Sequence, residues 1–111
     1  MPKTRDTAKI RDLNDRFRIT FKGGRVMMTQ GVSYLPDDKR ARLIAAVQRF
    51  DNFNRGNDPY GEHDFGAVDV DGDKFFWKID YFDLAMSQHS VDPANPEATI
   101  RILILMRTDE Y

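Results

Sequence analysis

Apolar positions near the start of the chain recur at the spacing of an amphipathic helix. Ile10, Leu13 and Phe17 are three and four residues apart, which places them on one side of a helix from about residue 4 to residue 20. The pair Gly23-Gly24 follows, and helices commonly end at glycine because it adopts a left-handed backbone at little cost. We therefore predict one helix that ends at this pair.

A hairpin is the competing interpretation of this region. Residues 18–22 and 25–29 flank the glycine pair, and the two segments could form strands joined by a turn. Under either interpretation, Val26–Thr29 is predicted to be a short strand.

A second amphipathic helix is predicted from Pro36 to about Phe53. Proline fits the first turn of a helix, and the two carboxylates after it suit the positive end of the helix dipole. Its predicted buried stripe consists of Leu43, Ile44, Val47 and Phe50.

Three consecutive strands are predicted in the second half of the chain. His63–Val70 and Lys74–Phe82 flank Asp71-Gly72, a dipeptide typical of two-residue hairpin turns. Ala98–Thr108 has apolar residues on both sides at its centre, so we expect it inside the sheet. The sequence thus predicts a single α+β domain over residues 1–111. Two helices would pack on one face of a small antiparallel sheet, in the order α-β-α-β-β-β.

Composition narrows the classes of function. The chain of 111 residues has no cysteine, and this absence excludes disulfides, thiolate metal sites and thiol nucleophiles. Its formal net charge is -1. Residues 1–50 carry 12 basic and 5 acidic side chains, whereas residues 51–97 carry 3 and 11. The basic residues are interleaved with acidic ones, so a nucleic-acid partner is not expected. No apolar run is long enough to span a membrane or to act as a secretion signal, and we expect a cytoplasmic protein.

The register of the predicted hairpin decides whether an acid–base pair forms. A two-residue turn places His63 opposite Asp80, with Lys78 diagonally near, an arrangement that suits acid–base catalysis. A three-residue turn with a bulge places His63 opposite Ile79 and removes the pair. The candidate catalytic residues are therefore His63, Asp80 and Lys78.

The open end of the hairpin is expected to be acidic, because the long loops 51–62 and 83–97 both attach there. The candidate binding residues are Asp58, Tyr60, Glu62 and Asp64 at this end, with Phe76 on the face that the second strand exposes. No residue is assigned to a metal, and no cofactor is expected. An oxygen-rich site for a divalent cation such as magnesium remains open, because such a site needs no histidine.

Five segments of the chain carry a resemblance to a known family. They are LNDRFR (Leu13–Arg18), GGRVMMTQGV (Gly23–Val32), FDNFNRGNDPYGEHDFGAVDV (Phe50–Val70), FFWKIDYFD (Phe75–Asp83) and TIRILILMRTDEY (Thr99–Tyr111). Together they resemble a family of small bacterial proteins catalogued only as a domain of unknown function. The resemblance implies a stand-alone bacterial domain, often encoded on plasmids and other accessory elements, and it implies no activity or cofactor.

Two functions compete on this basis. The first is a small protein-binding module, an inhibitor or accessory factor of a mobile element, that acts through the open end of the hairpin and its exposed face. The alternative is a small metal-dependent or acid–base hydrolase that uses His63 with nearby carboxylates. The sequence leaves the oligomeric state open.

Overall fold

Helices and strands form in the regions where the apolar spacing predicts them, but two short helices that were not predicted make the order of elements differ from the expected α-β-α-β-β-β. The computed structural model describes residues 5–111. Its elements are α1 (Thr7–Thr20), β1 (Arg25–Met28), α2 (Gln30–Ser33), α3 (Asp37–Gln48), β2 (Phe65–Val70), β3 (Asp73–Phe82), β4 (Ile100–Arg107) and a 3₁₀ helix (Thr108–Glu110). The predicted α+β class is confirmed. The sequence did not indicate α2 or the 3₁₀ helix, both too short to show a periodic apolar stripe.

The first helix is bounded by residues that the apolar pattern did not identify. Asp6 caps its start by accepting a hydrogen bond from the backbone of the first turn. Its end is Phe21, whose backbone is left-handed (φ 60°) and whose N–H donates to the Phe17 carbonyl. The prediction that Gly23-Gly24 ends the helix is therefore wrong, and the competing hairpin does not form. Phe21 packs against the core, which offsets the cost of its backbone conformation. The predicted start at Thr4 lies outside the described residues.

The four strands form one sheet in the order β1-β4-β3-β2. β4 pairs antiparallel with β3 and parallel with β1, so the sheet is mixed, and the prediction of an antiparallel sheet is wrong. The chain leaves β1 through α2 and α3 and builds the hairpin before it returns as β4, a long crossover of the kind that parallel neighbours require. β4 lies between two strands, which confirms the expectation that it is internal.

The turn at Asp71-Gly72 has two residues, as the first of the two registers requires. Both residues have positive φ (53° and 85°), the backbone of a type I′ turn. Pairing runs from Val70 opposite Asp73 to Phe65 opposite Lys78. The bulged alternative is therefore excluded over β2.

The core lies between one side of the sheet and the helices. Each helix contributes only a few buried apolar side chains. None of the helices in the described part of the chain is long and apolar enough to cross a membrane. Trp77 lies at the centre with 0% exposure. The fully buried apolar members of the cluster are Ile10, Phe17, Val32, Leu43, Val47, Phe75, Trp77, Leu103 and Leu105.

The α-helices pack on the core side only and leave the opposite side of the sheet without a helix within residues 5–111, although Ile102 and Met106 on that side are just 5% and 3% exposed. The core cluster includes every buried apolar residue of α1, α2 and α3, yet it contains no side chain from this second side. We call this side the open face. It consists of Arg25 and Met27 from β1, Phe65, Ala67 and Asp69 from β2, Lys74, Phe76, Lys78, Asp80 and Phe82 from β3, and Ile100, Ile102, Ile104 and Met106 from β4.

Candidate functional site

The structure divides the predicted site residues between the two sides of the sheet. Four acidic or imidazole residues from the segment before β2 lie on the helical side, near α1: Asp58, Glu62, His63 and Asp64. Tyr60 is exposed beside them. Phe76, Lys78 and Asp80 lie on the open face. The candidate catalytic residues are therefore divided between the two sides of the sheet, whereas the four residues expected at the open end of the hairpin lie together on one side.

His63 does not face Asp80, although the turn has the register that predicted this pair. The Asp64 carbonyl still accepts a hydrogen bond from the Ile79 N–H at 2.8 Å, so the predicted register extends one residue beyond β2. At His63 the backbone becomes left-handed (φ 55°), and the chain turns away from β3. The His63 N–H donates to Asp58 Oδ1 at 3.1 Å, which holds this turn. The expected dyad is thus absent because a backbone reversal, which strand alternation cannot show, separates its members.

The His63 ring is held between two other carboxylates. Nδ1 is 2.9 and 3.1 Å from the two carboxylate oxygens of Asp15 on α1. Nε2 is 3.6 Å from Asp58 Oδ2. The ring also stacks on Phe53, with centroids 3.7 Å apart and planes 3° from parallel. Both nitrogens are therefore directed at carboxylates of the protein, an arrangement that fixes the ring between α1 and the loop before β2.

A buried polar cluster lies next to His63 and connects α1 to β3 and β4. Asn14 has 0% exposure; its amide nitrogen donates to the Tyr81 hydroxyl at 2.7 Å and to the Glu62 carbonyl at 3.0 Å. Its amide oxygen accepts from Arg101 Nε at 2.8 Å. The Tyr81 hydroxyl in turn donates to Glu62 Oε1 at 2.9 Å. We call Asn14, Glu62, Tyr81 and Arg101 the polar cluster.

Burial shifts the pKa values of Tyr81 and Arg101 in the directions that favour their uncharged forms. Burial raises the pKa of Tyr81 far above its usual value, so the phenol remains protonated and acts as a hydrogen-bond donor. Burial lowers the pKa of Arg101, and the guanidinium lies 5.3 Å from the centre of the Tyr81 ring. Hydrogen bonds with neighbours therefore replace the water that these groups lose on folding.

A cavity of about 380 Å³ opens beside the polar cluster and is lined by Arg5, Tyr60, Glu62, Asp64 and Tyr81. Arg5 donates to both carboxylate oxygens of Glu62, at 2.6 and 3.1 Å. This hydrogen bond is the main reason that the pKa of Arg5 is raised. Burial, and then the negative charge of Glu62, raises the pKa of Asp64. In the described residues, no group of three or more histidines and carboxylates is arranged to hold a metal ion.

The open face carries a different chemistry: its middle rows are mostly apolar, with one ion pair at the centre and three further charged residues, Arg25, Asp69 and Lys74, on its outer parts. Lys78 Nζ lies 3.1 Å from Asp80 Oδ2. Phe76 lies at one end of the face, where the rings of Phe65 and Tyr111 are 5.1 and 5.5 Å away. At the other end, Phe82 stacks on His89 at 5.7 Å. The ion pair therefore lies between two groups of aromatic rings on the same side of β3.

Sequence reasoning missed the residues on which the helical side depends most. Asn14 and Arg18 lie on the same stripe of α1 as Ile10, and both are buried. Arg101 lies two residues before Leu103, on the same core side of β4. Polar residues at core positions of a periodic pattern are the signal that could have identified this network, because such groups require partners when buried.

Comparison with known proteins gives the family and no activity. No curated protein and no solved structure matches the chain. A family model described as "Protein of unknown function (DUF3768)" matches residues 28–110, which is about three quarters of the chain and includes all of β2, β3 and β4 but only the last residue of β1. The resemblance to a domain of unknown function is therefore confirmed, and the chain belongs to the family Protein of unknown function (DUF3768).

Proposed function

We propose that this protein is a small protein-binding module and that the open face is its binding surface. The observation that carries the proposal is a sheet face, built from all four strands, with eight large apolar side chains and no α-helix packed on it among the described residues. Burying such a surface against a partner removes apolar area from water, which is the dominant favourable contribution in most protein association.

The chemistry of the open face favours a protein partner over other macromolecules. Nucleic-acid sites usually carry a basic stripe, whereas the centre of this face holds one cation paired with one anion, Lys78 and Asp80. Aromatic residues and methionine are enriched in protein interfaces, and the face has three phenylalanines and two methionines. The more specific role suggested by the resemblance, an inhibitor or accessory factor of a mobile element, stays a prediction.

The alternative function, a hydrolase that uses His63, receives less support from the geometry. A general base needs a nitrogen that can reach the substrate. Nδ1 of His63 is hydrogen-bonded to Asp15, Nε2 faces Asp58 Oδ2 at 3.6 Å, and His63 does not line the cavity beside the polar cluster. The other two candidate catalytic residues, Lys78 and Asp80, lie on the opposite side of the sheet. These three residues cannot act on the same substrate atom, because the sheet lies between His63 and the other two.

The test compares the same substitution at two equally exposed apolar positions. Met27 on the open face is 54% exposed, and Ile19 on α1 is 53% exposed. Tagged wild-type protein, Met27→Glu and Ile19→Glu would be used to capture proteins from an extract of the native host. Each captured protein would then be purified and titrated against all three forms by calorimetry.

We expect Ile19→Glu to bind like the wild type and Met27→Glu to bind at least tenfold more weakly, because the new carboxylate loses its water in the complex. Undiminished binding by Met27→Glu would contradict the proposal. Loss of the partner in Ile19→Glu alone would contradict it as well, since the binding surface would then lie on α1.

A further inference from the structure

Four of the five side chains that β3 presents on the open face form a pattern that is complementary to itself. After Lys74 at the start of the strand, they are in order Phe76, Lys78, Asp80 and Phe82, an aromatic ring, a cation, an anion and an aromatic ring. Ile79, on the core side, lies at the midpoint of the four. When this pattern is reversed and placed over itself, the cation meets the anion and each aromatic ring meets the other.

A two-fold axis produces this reversal when two copies pack face to face. The axis would lie between the sheets and cross β3 at the level of Ile79, so the facing β3 strands would run in opposite directions. Sheets that pack face to face lie about 10 Å apart with their strands within about 30° of each other. Lys78 would then face Asp80 of the second copy, and Phe76 would face Phe82 of the second copy.

Charge supports a second copy as the occupant of this face. A two-fold interface brings each surface patch against the same patch, so a patch of one sign would repel itself. Here the central charges cancel within the pair, and the net charge of the whole chain is only -1. Lys78 and Asp80 keep 35% and 26% of their side-chain area exposed, and therefore remain able to interact with a partner.

We propose, on the basis of the function proposed above, that the open face binds a second copy of this chain. The two copies are related by a two-fold axis that pairs Lys78 of each with Asp80 of the other. The pairing is mutual, so each interface contains two intermolecular ion pairs with the aromatic residues outside them. The open face is therefore a homodimer interface.

The test uses charge reversal on the full chain, followed by mixing. Sedimentation velocity would be measured from about 1 µM to about 1 mM, a range that includes weak and moderate affinities. Lys78→Asp gives a face with two anions, and Asp80→Lys gives a face with two cations. The double variant with both substitutions exchanges the charges and keeps the face complementary to itself, so it controls for folding and for the loss of the original residues.

We expect the wild type and the double variant to dimerise and each single variant to dimerise at least tenfold more weakly. An equimolar mixture of the two single variants should form heterodimers, which an ion pair confined within one chain cannot explain. Dimers that persist unweakened in both single variants would show that another surface is used and would overturn the proposal. So would a mixture that stays monomeric while the wild type dimerises.

The experiment also separates this inference from the proposed function. A wild type that stays monomeric over the whole range would overturn the homodimer. The proposed function would survive that result if Met27→Glu still lost a different purified partner. If Met27→Glu bound such a partner unchanged as well, both proposals would be wrong.

Discussion

Asn14→Leu should destabilise the fold strongly, because it removes the residue that joins all parts of the polar cluster. Asn14 is completely buried and makes three hydrogen bonds, one of them to the Arg101 guanidinium. Leucine has a similar size and no polar atom, so Arg101 Nε and the Tyr81 hydroxyl would each lose a partner without gaining water. The substitution therefore measures the hydrogen bonds more than the packing.

The magnitude follows from these three bonds. A hydrogen bond to a charged group contributes about 1.5 to 3 kcal/mol and a neutral one about 0.5 to 1.5 kcal/mol, so the expected loss is between about 2.5 and 6 kcal/mol. This is a large part of the roughly 5 to 15 kcal/mol by which small domains are stable. Tyr81→Phe removes only the hydroxyl, which donates to Glu62 and accepts from Asn14. It should cost about 1 to 3 kcal/mol.

Urea unfolding, followed by the fluorescence of Trp77, would measure these losses. With a urea dependence of about 1 to 3 kcal/mol per molar, the midpoint for Asn14→Leu should fall by roughly 1 M or more. Asn52→Leu is the matched control, since Asn52 is exposed, and it should change stability by less than about 0.5 kcal/mol. A loss below about 1 kcal/mol in Asn14→Leu, with an unchanged urea dependence, would refute a structural role for the polar cluster.

Three further predictions concern the core and the cavity. Asp64→Asn should stabilise the fold at pH 7, because the pKa of Asp64 is raised by burial and by Glu62, so its ionised form is disfavoured in the folded chain. The gain should disappear as pH falls below the unfolded value of about 3.9; thermal melts from pH 3 to 8 would show it, and a gain that persists at pH 3 would contradict this cause. Trp77→Ala should cost about 3 to 5 kcal/mol in urea unfolding, since Trp77 has 0% exposure; a loss below about 1 kcal/mol would place Trp77 at the surface. Gly66→Ala should cost about 1 to 3 kcal/mol, because the added Cβ would lie 2.5 Å from Trp77 Nε1 and 2.8 Å from Phe50 Cζ; an unchanged melting temperature would mean that these rings move easily.

Local patterns in the sequence predicted what depends on neighbours along the chain. The Asp71-Gly72 turn set the register of the hairpin, and alternation from that turn placed Phe76 and Lys78 on one side of β3. The helical spacing of Ile10 and Phe17 identified the buried stripe of α1. These features follow from backbone geometry over a few residues, which is why the sequence was sufficient for them.

Features that depend on distant parts of the chain were not predictable in this way. The parallel pairing of β1 with β4 joins residues more than 70 positions apart, and no local pattern specifies it. The left-handed backbone at His63 is held by Asp58 and separates His63 from Asp80. Asp15, on α1, then becomes the partner of His63. A long-range contact therefore replaced the dyad that strand alternation predicted.

Intermolecular nuclear Overhauser effects would test most directly whether the open face binds a second copy. Phe76 and Phe82 are six residues apart on β3, about 20 Å at the usual rise of a strand, so their rings are too distant for such a signal within one chain. A sample that mixes isotope-labelled and unlabelled chains would isolate contacts between copies. We predict contacts between Phe76 of one copy and Phe82 of the other, and these should vanish in Lys78→Asp. Contacts between copies that arise only from α1, for example from Ile19, would contradict the open face as the binding surface.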